Sequence, residues 1–377
     1  MIMYKAAAVY PHPISDSYIR QVKQAVQNAH EHGFTEIFTS IHLPEYTFEE
    51  QLDAFALIAN EAKKYELEVT VDIGGPYIRR VLEDELLKKR LEQVSFDFIR
   101  LDYGFDLSDA EKLYQLFGIK GFVLNASIYT KEEIRNLVSA FRMTDENIEL
   151  RACHNYYVLT GTGLDGAFAM KQQMYFESYG IPVYYCFSGT DNMRGPLHEG
   201  LVTVESHRNR STSDVLTELM DIFEPAGIMI SDEWASDEDY DEINTVLTMF
   251  ETKKEEPILI RVRIEPSCQE KEKHILLGKH VFRSDSPSKL LRSVSSRQMA
   301  ETADEINPNN SIERPRGTIT VVNSNGLRYS GELQICMECM EADKKSNVIA
   351  HVIREDDLIK LACFRKGTAY IFAEETA

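Results

Sequence analysis

Over its first 250 residues the chain alternates short apolar runs with longer amphipathic ones. The short runs are KAAAVY (5–10), TEIFTS (35–40), EVTVDI (68–73), FDFIRLD (96–102), KGFVLN (120–125), IELRAC (148–153), PVYYCF (182–187) and GIMIS (227–231). They read as strands, spaced as successive βα units, with a wider gap left for a loop before the eighth. The stretches between them carry helix signals. Thr47 with Glu50 and Thr130 with Glu133 have capping-box spacing, and Ser15 or Asp16 and Ser236 or Asp237 can cap the first and last helices. In 18–33, Ile19, Val22, Ala25, Val26 and Ala29 make one apolar stripe, which Gly33 ends.

Eight β-then-α units predict a closed parallel (β/α)8 barrel over 1–250. An open doubly wound sheet is the alternative, but no G-x-G-x-x-G follows the first strand. The charged run 251–257 reads as a linker. Beyond it, over 258–377, runs of period two and an Asn325-Gly326 turn signal predict a small all-β domain, a closed barrel. Its segment 284–316, rich in Ser, Asn and Pro, reads as a long loop.

A length of 377 residues suits two such domains, and 43% apolar residues suffice for their cores. The formal charge of −20 argues against nucleic-acid or anionic-membrane partners, since no basic run exceeds Lys88-Lys89-Arg90. No segment has the length and apolarity of a signal peptide or a membrane span, and six scattered cysteines do not suggest a disulfide scaffold. A cytoplasmic protein with reduced thiols is expected.

A barrel of this kind places its chemistry at the C-terminal strand ends. The polar residues there are Tyr10, Ser40, His42, Asp72, Asp102, Asn125, Cys153 to Asn155, Ser188 and Asp232. By alternation Arg100 and Asp102 face the barrel interior, as do Glu149, Arg151 and Cys153. Arg100, Glu149 and Arg151 are expected to pair lower in the barrel.

The run Cys153-His154-Asn155 has the residue types of a cysteine hydrolase. Adjacent strand positions face opposite ways, however, so contacts from His154 and Asn155 to a ligand are the better reading. No metal is expected: the histidines of HEGLVTVESH (198–207) are nine apart, and Cys336 and Cys339 lack a second pair. The long loop after the seventh strand carries Gly189, Gly195 and Gly200 with Arg194, His198, Glu199, Glu205, His207 and Arg208. Glycines admit backbone N–H groups to an anion and arginine binds it bidentately, so a phosphorylated ligand is one reading and an ordinary surface excursion the other.

Taken together, RLDYGF, CHNYY with TGTGLD, RGPLHEGLVTVESHR, Asp232, and RPRGTITVVN with GELQI resemble one bacterial family over nearly the whole chain. It is the outer-surface-protein (DUF871) group, which includes the 6-phospho-N-acetylmuramidases of cell-wall recycling. The resemblance implies a TIM barrel followed by a cyclophilin-like β-barrel. It also implies a glycosidase, needing no cofactor, that splits a disaccharide of 6-phospho-N-acetylmuramic acid and N-acetylglucosamine.

Glycoside hydrolysis most often needs two carboxyl groups. Asp102 is expected to be one, with Asp72 or Asp232 as the second. Arg194, with the backbone at Gly189 and Gly195, would hold the phosphate, and Asn125, His154, Asn155, Glu199 and Glu205 would contact the sugars. Many relatives carry a glutamate inside the fifth strand, in a segment like IELNAS, where this chain has FVLNAS with Val123. A sugar-phosphate-binding protein that does not cleave, or another phosphosugar barrel enzyme, are the alternatives. A homo-oligomer is compatible with all three.

Overall fold

The computed structural model describes residues 4–190, 192–251, 257–300, 305–364 and 367–375. Most of the expected linker, 252–256, lies outside them. Strands β1 (Tyr4–Ala8), β2 (Glu36–Ser40), β3 (Glu68–Ile73), β4 (Phe98–Leu101), β5 (Gly121–Asn125), β6 (Glu149–Cys153), β7 (Val183–Phe187) and β8 (Gly227–Ile230) pair in parallel in chain order. β8 returns to β1 through Tyr4↔Gly227 to Ala7↔Ile230, which closes the barrel. One face of each strand fills the interior with Ala6, Ala8, Phe38, Phe98, Val123 and Tyr184 among others. The alternate residues, such as Ile37, Val71, Leu101 and Leu124, are buried on the outer face.

Around the strands run α1 (Asp16–Glu31), α2 (Phe48–Lys64), α3 (Gly75–Glu83), α4 (Glu85–Leu91), α5 (Leu107–Phe117), α6 (Lys131–Thr144), α7 (Gly166–Glu177), α8 (Thr212–Glu218) and α9 (Asp237–Glu251). Thr47 and Thr130 form full capping boxes, Ser15 caps α1, and the Ser236 hydroxyl accepts the Asp239 N–H at 3.2 Å to cap α9.

The floor of the barrel is a charged layer built on Arg151. Its guanidinium lies 3.1 Å from Glu36, 2.8 Å from Glu68 and 2.7 Å from Glu149, and 3.8 Å from the centre of the Phe98 ring. Each of the three carboxylates meets the guanidinium and Glu68 also meets Lys120 at 2.7 Å, while burial still raises the pKa of Glu36. Arg100 is not part of this layer, contrary to expectation. Two residues above Phe98 on the same face of β4, its side chain reaches the mouth instead.

The chain divides into two compact units, Met1–Asn244 and Thr245–Ala377. In the second unit, β9 (Ile258–Ile264), β10 (His280–Val281), β11 (Leu290–Arg292), β12 (Thr318–Val322), β13 (Leu333–Cys336), β14 (Ser346–Val352) and β15 (Ala369–Glu374) form one sheet. Their order is β10-β15-β9-β14-β12-β13-β11. Its two edges meet at a single bridge, Phe282 to Ser293, flanked by Arg283 N–H to Arg292 O and Val294 N–H to Val281 O, both 2.9 Å. The sheet therefore curls round a core of Ile260, Val262, Ile319, Leu333, Ile349 and Phe372.

Three short helices interleave with these strands: α10 (Glu270–Leu276), α11 (Ser296–Ala300) and α12 (Glu355–Ala362). The segment 284–316 is not simply a loop. It contains β11 and α11, which are too short to register as periodicity. Asn325-Gly326 lies in a 3-10 segment, Ser324–Tyr329, so the link between β12 and β13 is longer than a two-residue turn.

A Cβ at Gly121 would overlap the Glu149 carbonyl oxygen of the neighbouring strand, whereas one at Gly118, in the left-handed region at φ +61°, meets open space. Gly121→Ala is expected to cost about 3 kcal/mol and Gly118→Ala about 1 kcal/mol in denaturant unfolding. Equal costs would contradict the assigned β5–β6 contact.

Candidate functional site

At the barrel mouth Arg100 is buried and gathers the ends of three strands. Its Nη1 donates to Asp72 at 2.9 Å and to Asp102 at 3.1 Å, and its Nη2 donates to the Asn155 side-chain oxygen at 2.6 Å. Asn125 adds its amide, donating to Asp102 at 3.2 Å and to Asn155 at 2.9 Å. On the open side His42 sets Nε2 3.6 Å from Asp102 and 3.9 Å from Asp72, while its Nδ1 lies 3.2 Å from the Asp72 carbonyl oxygen. Of the expected residues, Asp72, Asp102, Asn125 and Asn155 thus form one cluster.

The electrostatics follow from that packing. Burial pushes the Asp102 carboxyl up, but the His42 hydrogen bond and the Arg100 charge outweigh it and hold the group at about 2. Burial disfavours the His42 imidazolium, yet the two aspartates more than offset it and raise its pKa. When His42 is protonated, two carboxylates face two cations. The same three groups, His42, Asp72 and Asp102, bring ligand atoms within 4.8 Å of one another and could in principle hold a metal ion. The guanidinium already bridging both carboxylates supplies the positive charge there, so the donor set favours the ion-pair cluster over a metal.

The other half of the mouth is built by the loops after β1, β2, β7 and β8. Arg194 stacks 4.1 Å from the Tyr10 ring centre, and its nearest carboxylate, Glu45, is 3.9 Å away. A cavity of about 350 Å³ opens here, lined by Arg194, Gly195, His12, Tyr46, His198 and Glu233, among others. His12 bridges Tyr46 at 2.8 Å and Glu233 at 2.7 Å.

Asp232 lies beneath this cavity rather than in the acidic cluster. It accepts the Arg194 N–H at 2.8 Å, the Leu201 N–H at 3.3 Å and the Ser188 hydroxyl, so it pins the loop that presents Arg194. Burial raises its pKa against the pull of those donors. Tyr10 and Tyr156, 6.3 Å apart edge to face, span the two halves. Burial, and then the charge of Asp72, lifts the Tyr156 hydroxyl to about 12.

The remaining expected residues lie elsewhere. His154 is fully buried, its ring 4.6 Å from Tyr185 and its Nδ1 3.2 Å from the Ser127 hydroxyl, which also accepts the Asn155 N–H at 2.9 Å. It reaches the mouth through Ser127, which also donates its N–H to the Asn125 side-chain oxygen at 3.0 Å. Glu199 accepts the Thr160 N–H and hydroxyl at 2.7 Å, and Glu205 accepts the N–H groups of Gly161 and Gly163 at 2.7 Å. Both clasp the TGTG loop to the chain. Gly189 packs on the Asp239 carboxylate, a poor neighbour for an anion. The Cys153 thiol is buried 3.7 Å from Cys186 and raised by that contact and by burial, unlike an activated nucleophile.

Comparison with known proteins fits this arrangement. The N-terminal region of the 6-phospho-N-acetylmuramidases matches residues 7–245, and their C-terminal region matches 258–373. The chain belongs to the 6-phospho-N-acetylmuramidase family. No curated protein matches it. A conserved Enterococcus faecalis protein of unknown function is similar in structure, with 26% identity, TM-score 0.65, and 99% of this chain and 96% of that one covered. An uncharacterized B. cereus protein, 24% identical with TM-score 0.62, covers 99% and 100% and shares the fold. Among the described residues no helix is long and apolar enough to cross a membrane.

His12, Tyr46, Arg100, Tyr156 and Glu233 complete the mouth but were not assigned to it from sequence, although Arg100 shares a face with Asp102; His42 was placed at a strand end there but given no role. The signal for His12, Tyr46 and Glu233 was barrel closure itself, which makes the loops after β8, β1 and β2 neighbours.

Two outcomes are expected. Arg100→Met leaves both aspartates buried without their cation and should cost about 3–5 kcal/mol in unfolding free energy; a cost below about 1 kcal/mol would contradict the cluster. His154 is held neutral by burial and by the Arg100 charge, with its pKa lowered from 6.5 to about 3. Between those values the unfolded chain binds the extra proton. Stability therefore falls as pH drops through that window, by up to about 1.4 kcal/mol per pH unit. His154→Gln should remove one proton's worth of that slope, and an unchanged slope would refute the assignment.

Proposed function

We propose that the protein hydrolyses the glycosidic bond of a 6-phosphorylated N-acetylmuramic acid disaccharide with N-acetylglucosamine, as a cytoplasmic enzyme of cell-wall recycling. The single observation carrying this reading, beside the family, is the pairing of an ionised aspartate with an arginine-lined cavity on one barrel mouth. Arg194 and the Gly195 backbone would bind the phosphate, for the arginine lines the cavity and its ion pair to Glu45 is long, at 3.9 Å.

Asp102, ionised at any working pH, suits the role of the carboxylate facing the anomeric carbon as positive charge develops there. The C–O bond to the leaving sugar breaks as water adds to the anomeric carbon, and the leaving oxygen must take a proton, which the adding water gives back to the donor. His42, whose imidazolium the two aspartates stabilise so that its pKa is raised, is the group of the cluster suited to supply it. Asp72 then serves by holding Arg100 and His42 in place, and Asp232 by fixing the loop of Arg194. Asn125 and Asn155 complete the hydrogen bonding around Asp102.

A second reading, binding without cleavage, draws on Val123. It is buried in the interior beside Arg100 of β4 and Arg151 of β6, where a glutamate would meet two cations.

Incubation with the 6-phosphorylated disaccharide separates the two. Under the first reading sugar is released, Asp102→Asn lowers kcat by about 10²–10⁴-fold, and Arg194→Met chiefly raises KM. Tight binding with no sugar released would favour the second.

A further inference from the structure

A second depression lies against Asp102 on the side away from Arg194. It is a groove of about 620 Å³ between the loop 102–107 and the loop after β5, lined by Tyr103, Phe105, Ile128 and Tyr129 together with Asp102 and Glu133, among others. We infer that this groove seats the uncharged sugar of the substrate on its aromatic faces, while the phosphorylated sugar occupies the Arg194 cavity. The inference rests on the glycosidase reading above and adds the direction in which the disaccharide lies.

Charge decides the direction. No lysine or arginine lines the groove, and Asp102, Asp106 and Glu133 do. The N-termini of α5 and α6, which could otherwise attract an anion, are already satisfied. The Asp106 carboxylate accepts the Ser108 N–H at 2.8 Å, and Thr130 and Glu133 close a capping box. A phosphate dianion here would meet three carboxylates, with Arg79 already engaged on the Gly104 carbonyl oxygen and Arg100 on Asp102. The other cavity, although Glu45 and Glu233 also line it, presents the Arg194 guanidinium in its wall. A neutral pyranose has no such objection, for its hydroxyls can donate to carboxylates and its C–H face can cover an aromatic ring.

The platform is also fixed in advance. Tyr103 and Ile128 are each 51% exposed, which is apolar area left uncovered beside the catalytic cluster. The Tyr103 ring lies so close on Gly74 that a Cβ there would come within 3.1 Å, and its edge meets His42 at 6.0 Å between ring centres. Gly74 lets the ring lie against the backbone, and His42 orients it. The Tyr129 loop is tied to α7 by the Gln172 side chain, which donates to the Tyr129 carbonyl oxygen at 2.9 Å. Because Asp102 borders the groove and belongs to the acidic cluster, a bond joining the two sugars would pass over its carboxylate.

Ligand-observed NMR titration of the full chain tests this with two probes, N-acetylglucosamine and N-acetylmuramic acid 6-phosphate. Y103A should weaken N-acetylglucosamine by about fivefold or more, the scale of one aromatic contact, and leave the phosphosugar within about twofold. R194M should do the reverse. I128S, on the other wall, should repeat the Y103A pattern and guards against a local rearrangement. Loss of phosphosugar binding in Y103A, or N-acetylglucosamine binding indifferent to both groove variants, would overturn the inference. Hydrolysis is scored separately. An uncleaved disaccharide with the two binding patterns intact refutes cleavage and upholds the groove, while cleavage with an indifferent Y103A refutes the groove alone.

Discussion

A single buried guanidinium organises the mouth of the barrel. Arg100 rises from inside β4 and binds the carboxylates of Asp72 and Asp102 and the amide oxygen of Asn155, so it ties β3, β4 and the turn after β6 into one unit. Bringing a guanidinium and two carboxylates out of water is costly unless nearly every donor and acceptor is met. Asn125 and His42 meet much of what is left. The result is a carboxylate held ionised in a half-buried position, next to a histidine whose own charge it supports. That combination is what acid–base work on a sugar requires, and the scaffold produces it before any ligand arrives.

Closure of the barrel supplies the rest. Once β8 pairs with β1, loops far apart in the chain become neighbours, and His12, Tyr46, Arg194 and Glu233 come to share one cavity. Asp232 holds the backbone of that cavity in place, and Tyr10 links it to the acidic half by lying under Arg194 and beside Tyr156. The mouth thus has two unlike sides, with the Arg194 guanidinium beside Glu45 and Glu233 on one side of Asp102 and carboxylates with aromatic faces, but no lining arginine or lysine, on the other. The family match over both units agrees with a phosphorylated sugar as ligand.

Much of this was legible in the chain because the physics is local. Short apolar runs and capping boxes marked the strands and helices of the barrel, and alternation assigned Arg100 and Asp102 to the interior. Height along a strand is not local. Arg100 was expected low in the barrel, yet its side chain extends upward to Asp72, a contact set by the β3–β4 register. His154 follows Cys153 out of phase and so turns outward to Tyr185, which alternation itself implied. Glu199 and Glu205 sit in a loop rich in polar residues, and nothing in the sequence says that they grip the backbone of 160–163. In the second unit, β11 was hidden because three residues cannot display a period.

The most direct test is a crystal structure of the protein with the 6-phosphorylated disaccharide, or its non-hydrolysed analogue, bound. The account predicts the phosphate against Arg194 and the Gly195 backbone, with the glycosidic carbon beside the Asp102 carboxylate. A phosphate anywhere else, or a sugar bound away from Asp102, would contradict it.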